Sequence, residues 1–587
     1  MRRTDPFVRP LVVTLVVAGL TTAGTAGAGA TAHRQAATAT RVTQRGTAVT
    51  GLQLAGRGSP CADVGFEIRI GGKVQGCTHG PDPAPAGVDP TAPRSLSDLR
   101  ASTGVSETGR TVPCVGDGTT GNRVQAVYAH LSTKPDHFST VAPLIRTWAA
   151  QANEAFNASA AETQGSRQIR FVTKSCVLSV LDKSVPANSA SNFGAEITAL
   201  ANGGLKATNR KYLIWTDATS YCGLGEVFAN TSSSTSNRNN KGPQYASVEK
   251  DCWGQLGNPR STGPSSVEAH ELTHALGAVQ ANSPHHTSAG HCTDEWEAMC
   301  YVDAGSTHLQ FTCPIQHSAF LDCGHNDYFS TNPPANSYLA THWNTAKNSF
   351  LVANVAPGND ALSRATPLPA TAGIYVDSNR LATAETNEPN TAGSNASHSI
   401  WYSLKATADR QLTVDTQGTP FDTVLGVYTG SAVGSLTSLD QSDDVPSFTY
   451  SRATGGVVAG TTYFIKVDGK AGAVGQVILH VSLTQAAFAP LITNISPPSA
   501  AKGSVLTITG SGFGGFFFVE VDGFPAAVTG SPIATQIQVT VPSSVNDPGP
   551  NSINVGAKGP VIFVSSDTAS GPATSIAISD QSFTYTT

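Results

Sequence analysis

The stretch SSVEAHELTHALGAVQANSPHHTSAGHCTDEWEAMCY, Ser265 to Tyr301, holds five of the fifteen histidines and one of the two methionines in a chain of 587 residues. Ser265 followed three residues later by Glu268 has the form of a capping box, and Gly277 is a natural helix stop, so about three turns of helix are marked out. At ~100° per residue, Val267, His270, Glu271 and His274 fall on one side, and Ala269, Leu272 and Leu276 on the other. The apolar side is suited to packing on a sheet. The opposite side carries two imidazoles one turn apart with a carboxylate beside them, the HExxH arrangement. Its mechanical content is two neutral nitrogen ligands for one ion, and a carboxylate that does not ligate but takes a proton from the water that the ion polarises. Zinc suits imidazole donors and an open fourth position.

The rest of the chain says where such a site would work. MRR, Arg9 and the apolar run LVVTLVVAGL, followed by the small residues AGAGATA, read as a secretory signal peptide over residues 1–32. Thr21, Thr22 and Gly24 end the run short of the roughly 18 apolar residues that a span requires, and no later run reaches that length. All ten cysteines lie between Cys61 and Cys323, an even number in an exported chain, which points to disulfides. Nearest-neighbour pairing is the expectation: Cys61–Cys77, Cys114–Cys176, Cys222–Cys252, Cys292–Cys300 and Cys313–Cys323. Charged residues make up 13% of the chain and the net charge is −5, so there is no basic field to attract nucleic acid or an anionic membrane.

Residues 33–110 are rich in Gly, Pro, Ala and Ser, with PDPAPAGVDPTAP as a linker-like run, and read as a propeptide or linker. Over 111–353 strand patterns (VQAVYAH, QIRFVT, KYLIWTDA) alternate with a helical one (APLIRTWAAQANEAF), an α/β unit leading into the histidine-rich helix. Beyond Pro357 the texture is all-β. SIWYSL, QLTVDT, TVLGVYTG, TYFIKVDG and QVILHVSL fall within 359–485, and VLTITGSGF, FFVEVDG and QIQVTVP within 488–587. The fold class is therefore a multidomain chain, an α/β (α+β) domain followed by two all-β sandwich domains.

HELTHALG followed by EAMCY resembles the metzincin branch of the zincin metallopeptidases, and the longer run through GHCTDEWEAMCY is similar to a group of secreted actinobacterial zincin-like proteins. The resemblance implies that Gly277 turns the chain toward a third ligand and that Met299 lies in a turn beneath the metal. Tyr301 would match a tyrosine that stabilises the oxyanion. Metzincins place His or Asp three residues after the glycine, whereas this chain has Gln280, a poor zinc ligand. His285, His286 and His291 are the candidates, with Gln280 and Asp294 behind them. His291 is preferred, because a Cys292–Cys300 bridge would tie it to the methionine turn. Two histidines on a helix are by themselves often plain polar surface; Glu271, Gly277, Met299 and Tyr301 in company argue otherwise.

ATAETNEPN through TTYFIKVDG resembles the pre-peptidase C-terminal type of sandwich, and PLITNISPPSAAKGSVLTITGSGFG through FTYTT is similar to the IPT/TIG immunoglobulin-like module. Calcium is a second candidate cation, at Asp322–Phe329 or at Glu388, Asp422, Asp443 and Asp444, although solvated turn carboxylates are the commoner case. The expected function is a secreted zinc endopeptidase acting on protein or peptide substrates, with His270, His274 and His291 as ligands, Glu271 as general base and Tyr301 as assisting donor. The alternative is an inactive exported adhesion or carbohydrate-binding protein on the same scaffold, motivated by Gln280. The β modules suggest docking to a cell surface or polysaccharide.

Overall fold

Alternation of side chains along a strand lets one central sheet bury two different faces, and the sequence of this sheet does so. The computed structural model describes residues 52–82, 112–254, 266–300 (without 288 and 295), 309–484 (without 315, 316 and 319) and 490–586 (without 514, 515, 523, 534, 543–557 and 567–572), with short strands at 43–44 and 47–48. Three strands near the amino end, β1 (Leu52–Leu54), β2 (Phe66–Ile70) and β3 (Lys73–Thr78), form an antiparallel sheet inside the stretch whose composition reads as linker. Then follow β4 (Arg123–Leu131), α1 (Phe138–Glu162), β5 (Val180–Val185), α2 (Phe193–Asn202), β6 (Arg210–Thr216), β7 (Gly223–Gly225), β8 (Gln244–Glu249) and α3 (Val267–Ala275).

The central sheet has the order β5-β4-β6-β8-β7. β4, β5, β6 and β8 run parallel, and β7 pairs antiparallel to β8 at the edge. One face buries Val124, Ala126, Tyr128, Leu213, Trp215, Ala246 and Val248 against Leu144 and Trp148 of α1, Leu272 of α3 and Leu276 just past its end. The other face buries Val127, Ala129, Tyr212, Ile214 and Tyr245 against Phe193, Ile197 and Leu200 of α2, with Ile68 of β2 in the same cluster. Each such side chain removed from water stabilises the fold by about 1.5–3 kcal/mol. The stretch QIRFVT does not make a main-sheet strand. Gln168–Ile169 pairs instead with Leu351–Val352, and Phe171 bridges singly to Val124, while β5 takes the sheet edge.

The five disulfides are Cys61–Cys77, Cys114–Cys176, Cys222–Cys252, Cys292–Cys300 and Cys313–Cys323, the pairs expected from the spacing. Among the described residues no helix is long and apolar enough to cross a membrane. The expected signal peptide lies outside the described residues.

The following region is a sandwich. A five-stranded sheet (366–368, 400–405, 462–469, 423–429, 437–442) faces a four-stranded one (373–378, 476–484, 410–415, 452–457). Tyr402, Leu404, Leu425, Ile465 and Val467 pack across to Leu412, Val414, Val477, Leu479 and Val481. Lys466 is buried within it, its Nζ 2.8 Å from Glu388 Oε1 and donating to Pro389 O at 2.9 Å. The last unit is all-β as well, with strands from Leu491–Ser496 to Ala573–Thr586 around Leu506, Ile508, Val519, Val539, Phe563 and Tyr585. Its Phe524 ring packs tilted against Trp296, with centroids 5.4 Å apart, and edge-to-face against Phe311 at 4.8 Å, so this unit leans on the loop that follows α3.

Candidate metal centre

Helix α3 starts at Ser266, one residue later than the capping box suggests, because the Ser266 hydroxyl accepts from Ala269 N at 3.1 Å. Ser265 lies outside the described residues. Glu268 does not close a box; its carboxylate accepts from the Ser266 hydroxyl, from Trp215 Nε1 at 3.1 Å and from Gly254 N at 2.8 Å, which fastens the helix to the sheet. At the other end the buried Lys211 Nζ donates to Ala275 O at 2.7 Å, satisfying a carbonyl that the helix leaves open. Gly277, with φ of +105°, then turns the chain away.

His270 and His274 face one another with their Nε2 atoms 3.0 Å apart, and His291 Nε2 stands 3.3 Å from His270 Nε2. Nitrogen ligands about 2.0–2.1 Å from one tetrahedral ion would stand about 3.3–3.4 Å apart, so the spacing fits a shared zinc. The rings are fixed from behind. His270 Nδ1 donates to Ala298 O at 2.7 Å and His274 Nδ1 to Ala278 O at 2.8 Å, which leaves each Nε2 as a lone-pair donor toward the centre. Burial, and then the neighbouring imidazoles, hold His274 well below its ordinary pKa, so it is neutral and competent to ligate.

His291 is fully buried and reaches the pair from the loop after α3, next to the Cys292–Cys300 bridge. The same loop carries Ala298, whose carbonyl orients His270, and Met299, fully buried in the core with Leu272 and Leu276. His285 is not brought to the pair: its Nδ1 is 2.9 Å from Asp327 Oδ2 and 3.6 Å from Asp294 Oδ2. Asp294, pushed up to about 6 by burial and by Asp327, belongs to that separate group. His286 pairs through its backbone with Cys292. Gln280 has a structural task. Its amide donates to Phe228 O and Gly277 O at 3.0 and 2.8 Å, and its oxygen accepts from Asn230 N at 3.0 Å. Tyr301 lies outside the described residues.

Glu271 is fully buried, with its carboxyl group against that of Asp82. Burial, followed by the nearby charge of Asp82, pushes its pKa well above the usual carboxylate range. The carboxylate fits there only because β7 is glycine at the points of contact: a Cβ on Gly223 would come within 1.9 Å of Glu271 Oε1. Two residues of the amino-terminal segment that sequence patterns did not single out, His79 and Asp82, join the centre. His79 Nε2 is 3.1 Å from His274 Nε2. No periodicity marks them; the signal in the sequence is a histidine and an aspartate three residues apart, separated by Gly80 and Pro81, shortly after Cys77.

The calcium candidates are less favourable. The Asp322 carboxylate accepts the main-chain N–H groups of Asn326, Asp327, Tyr328 and Phe329, the shortest at 2.5 Å. Lys470 Nζ is 2.6 Å from Asp443 and 3.9 Å from Asp444, and Glu388 is paired with Lys466.

Fold and site together define a multidomain, mostly β-sheet protein in which a helix, the loop after it and an amino-terminal segment bring four histidines and Asp82 together at the edge of a mixed sheet. Residues 490–574 match the family model of the IPT/TIG domain, and the structure of this part is all-β. No curated protein matches the chain. Solved structures with some likeness include auxiliary nutrient binding proteins from Bacteroides thetaiotaomicron VPI-5482 (18% identity, 17% of this chain and 21% of that one, TM-score 0.14) and Bacteroides ovatus ATCC 8483 (17% identity, 17% and 21%, TM-score 0.14). Another is a gamma-CGTase from alkalophilic Bacillus clarkii (18% identity, 32% and 24%, TM-score 0.13). This chain spans about a fifth of the length of the first two, and no functional argument is taken from these likenesses.

Proposed function

We propose that the chain is an exported zinc-dependent peptidase of the zincin type, with His270, His274 and His291 holding the metal and Glu271 as general base. The observation that carries this reading is the convergence of the His270 and His274 Nε2 lone pairs, each aimed by an Nδ1–H bonded to a main-chain carbonyl, with His291 Nε2 closing in at 3.3 Å. The facing Nε2 lone pairs of His270 and His274 repel one another unless a cation lies between them. Zinc held there would supply Lewis acidity, lowering the pKa of a water to about 7.

The protein's own groups then do the rest. Glu271, in a dry recess beside the edge strand, is placed to accept the proton of the attacking water and to pass it to the leaving amine. β7 is the last strand of the central sheet, and its carbonyl at Gly223 accepts the main-chain N–H of Asp82, in a segment laid antiparallel to it, at 2.9 Å. A peptide substrate added in the same way would be held extended, with its scissile carbonyl alongside the histidines. The alternative of an inactive binding scaffold rested on Gln280; with its amide tying Phe228, Asn230 and Gly277 together, Gln280 needs no lost ligand to account for it.

The test is metal content and turnover of the purified secreted chain. One zinc per chain is expected, lost in His291→Ala; casein cleavage is expected to vanish in Glu271→Gln with zinc retained. A chain that takes up no zinc overturns the reading, as does undiminished cleavage by Glu271→Gln.

A further inference from the structure

Beyond His291, and outside the histidine cluster, four carboxyl groups are buried near one another: Asp294, Glu297, Asp322 and Asp327, none more than 6% exposed. Three of them are well supplied with donors. Glu297 accepts from Met299 N at 2.8 Å, from Asp322 N at 2.5 Å and from the Tyr328 hydroxyl. Asp322 takes the main-chain N–H groups of its own turn, and Asp327 accepts from His285 N at 2.7 Å, with its Oδ2 2.9 Å from His285 Nδ1. Asp294 is the exception. Its own main-chain N–H apart, no N–H or hydroxyl among the described residues donates to it. Cys300 Sγ, 3.3 Å away, belongs to a disulfide and carries no hydrogen, and the Nδ1 of His285, 3.6 Å away, lies nearer to Asp327. What Asp294 faces instead is the Asp327 carboxyl.

Two buried carboxylates set against each other, with one imidazole beside them, repel unless they share a proton or a cation. The backbone holds all three groups in place. Thr293 N donates to His285 O at 2.8 Å, which lays the two arms of the His291 loop side by side and brings His285 and Asp294 together. The N–H groups of Asp327 and its neighbours, bound to Asp322, fix the turn from which Asp327 projects. One ligand atom from each of His285, Asp294 and Asp327 lies within 4.8 Å of the other two. An imidazole with two carboxylates is a donor set for zinc and similar transition metals, whereas calcium takes six to eight oxygens. His285 is half-buried, so the position is open to an ion from solution.

We propose that His285, Asp294 and Asp327 form a second site for zinc or a similar transition-metal ion, separate from the centre at His270, His274 and His291. It is the weaker of the two, filling only on added metal, because one of its three donors is half-exposed. Filled, it ties both arms of the His291 loop to the Asp322–Phe329 turn. This second site does not depend on the peptidase reading. The test titrates zinc by isothermal calorimetry into the full chain stripped of metal with a chelator, as wild type, the near-isosteric Asp294→Asn and, on the open side, His285→Gln. Wild type is expected to take up a second equivalent after the tight one, and its melting temperature to rise further as it does. Both variants are expected to keep the tight equivalent and the wild-type circular dichroism, while binding the second equivalent at least about 100-fold more weakly. Millimolar calcium should leave the second step in place. A second step of unchanged affinity in either variant overturns the donor set. No second step in wild type overturns the site and leaves a shared proton between Asp294 and Asp327. Displacement of this zinc by calcium overturns the transition-metal assignment. A tight step missing from all three proteins, with the Asp294-dependent step intact, upholds this site and sinks the peptidase reading instead.

Discussion

Replacing Gly225 with alanine puts the strand-against-helix contact behind the centre to the test. The added methyl would lie 2.7 Å from Glu271 O and 2.7 Å from His274 Cβ, both parts of α3 that cannot rotate out of the way. Ordinary contact begins near 3.4 Å, so helix and strand must separate by about 0.7 Å. Overpacking of this kind costs about 1–3 kcal/mol, which for a unit of this size lowers the melting temperature by about 2–10 °C. The same displacement moves His270 and His274 together, away from His291 on its disulfide-tied loop, and should weaken metal binding about 10–100-fold. Gly56→Ala, where a Cβ meets nothing within 4 Å, is the control and should change little. The assay is differential scanning fluorimetry of metal-free protein together with zinc competition against a chromophoric chelator. A Gly225→Ala protein that melts with the wild type and binds zinc as tightly would refute the claim that this glycine sets the helix position.

Two further predictions concern the β modules. Lys466→Met leaves Glu388 ionised without its partner inside the sandwich and should destabilise it by about 3–5 kcal/mol, while the double variant with Glu388→Gln should recover most of that in urea unfolding. Asp522 is fully buried, neither oxygen has a partner, and burial pushes its pKa up to about 8. The folded chain thus keeps a proton that the unfolded chain releases near pH 4, so stability falls as pH rises from about 4 to about 8, at up to about 1.4 kcal/mol per pH unit. Asp522→Asn should abolish that slope; equal urea midpoints for the wild-type module at pH 5 and pH 8 would contradict it.

Much of the centre is local in sequence, and for that reason legible. His270, Glu271 and His274 lie on one helix, so a 3.6-residue period suffices to group them, and His291 is tied to the neighbouring turn by a bridge between cysteines eight residues apart. The sandwich strands were readable for a similar reason: alternation over five to eight residues survives wherever one face is buried. Asp82 and His79 escaped because their meaning depends on a sheet-edge pairing with residues about 145 positions later, which no local pattern encodes. QIRFVT has good strand propensity, but the sheet edge is taken by Val180–Val185, and propensity does not decide which candidate wins a place. Gln280 was notable for the ligand it is not; its three hydrogen bonds are visible only once Phe228 and Asn230 are folded beside it.

The packing of Phe524 against Trp296 and Phe311 reaches further than the surface it covers. Trp296 lies between the bridged cysteines, two residues before the carbonyl that aims His270. Tension or ligand binding felt by the carboxy-terminal module therefore has a mechanical route to an imidazole some 250 residues upstream in the chain. Clipping that module off would leave two aromatic rings facing solvent beside the loop that carries His291, so the last module and the histidine cluster share one packing surface.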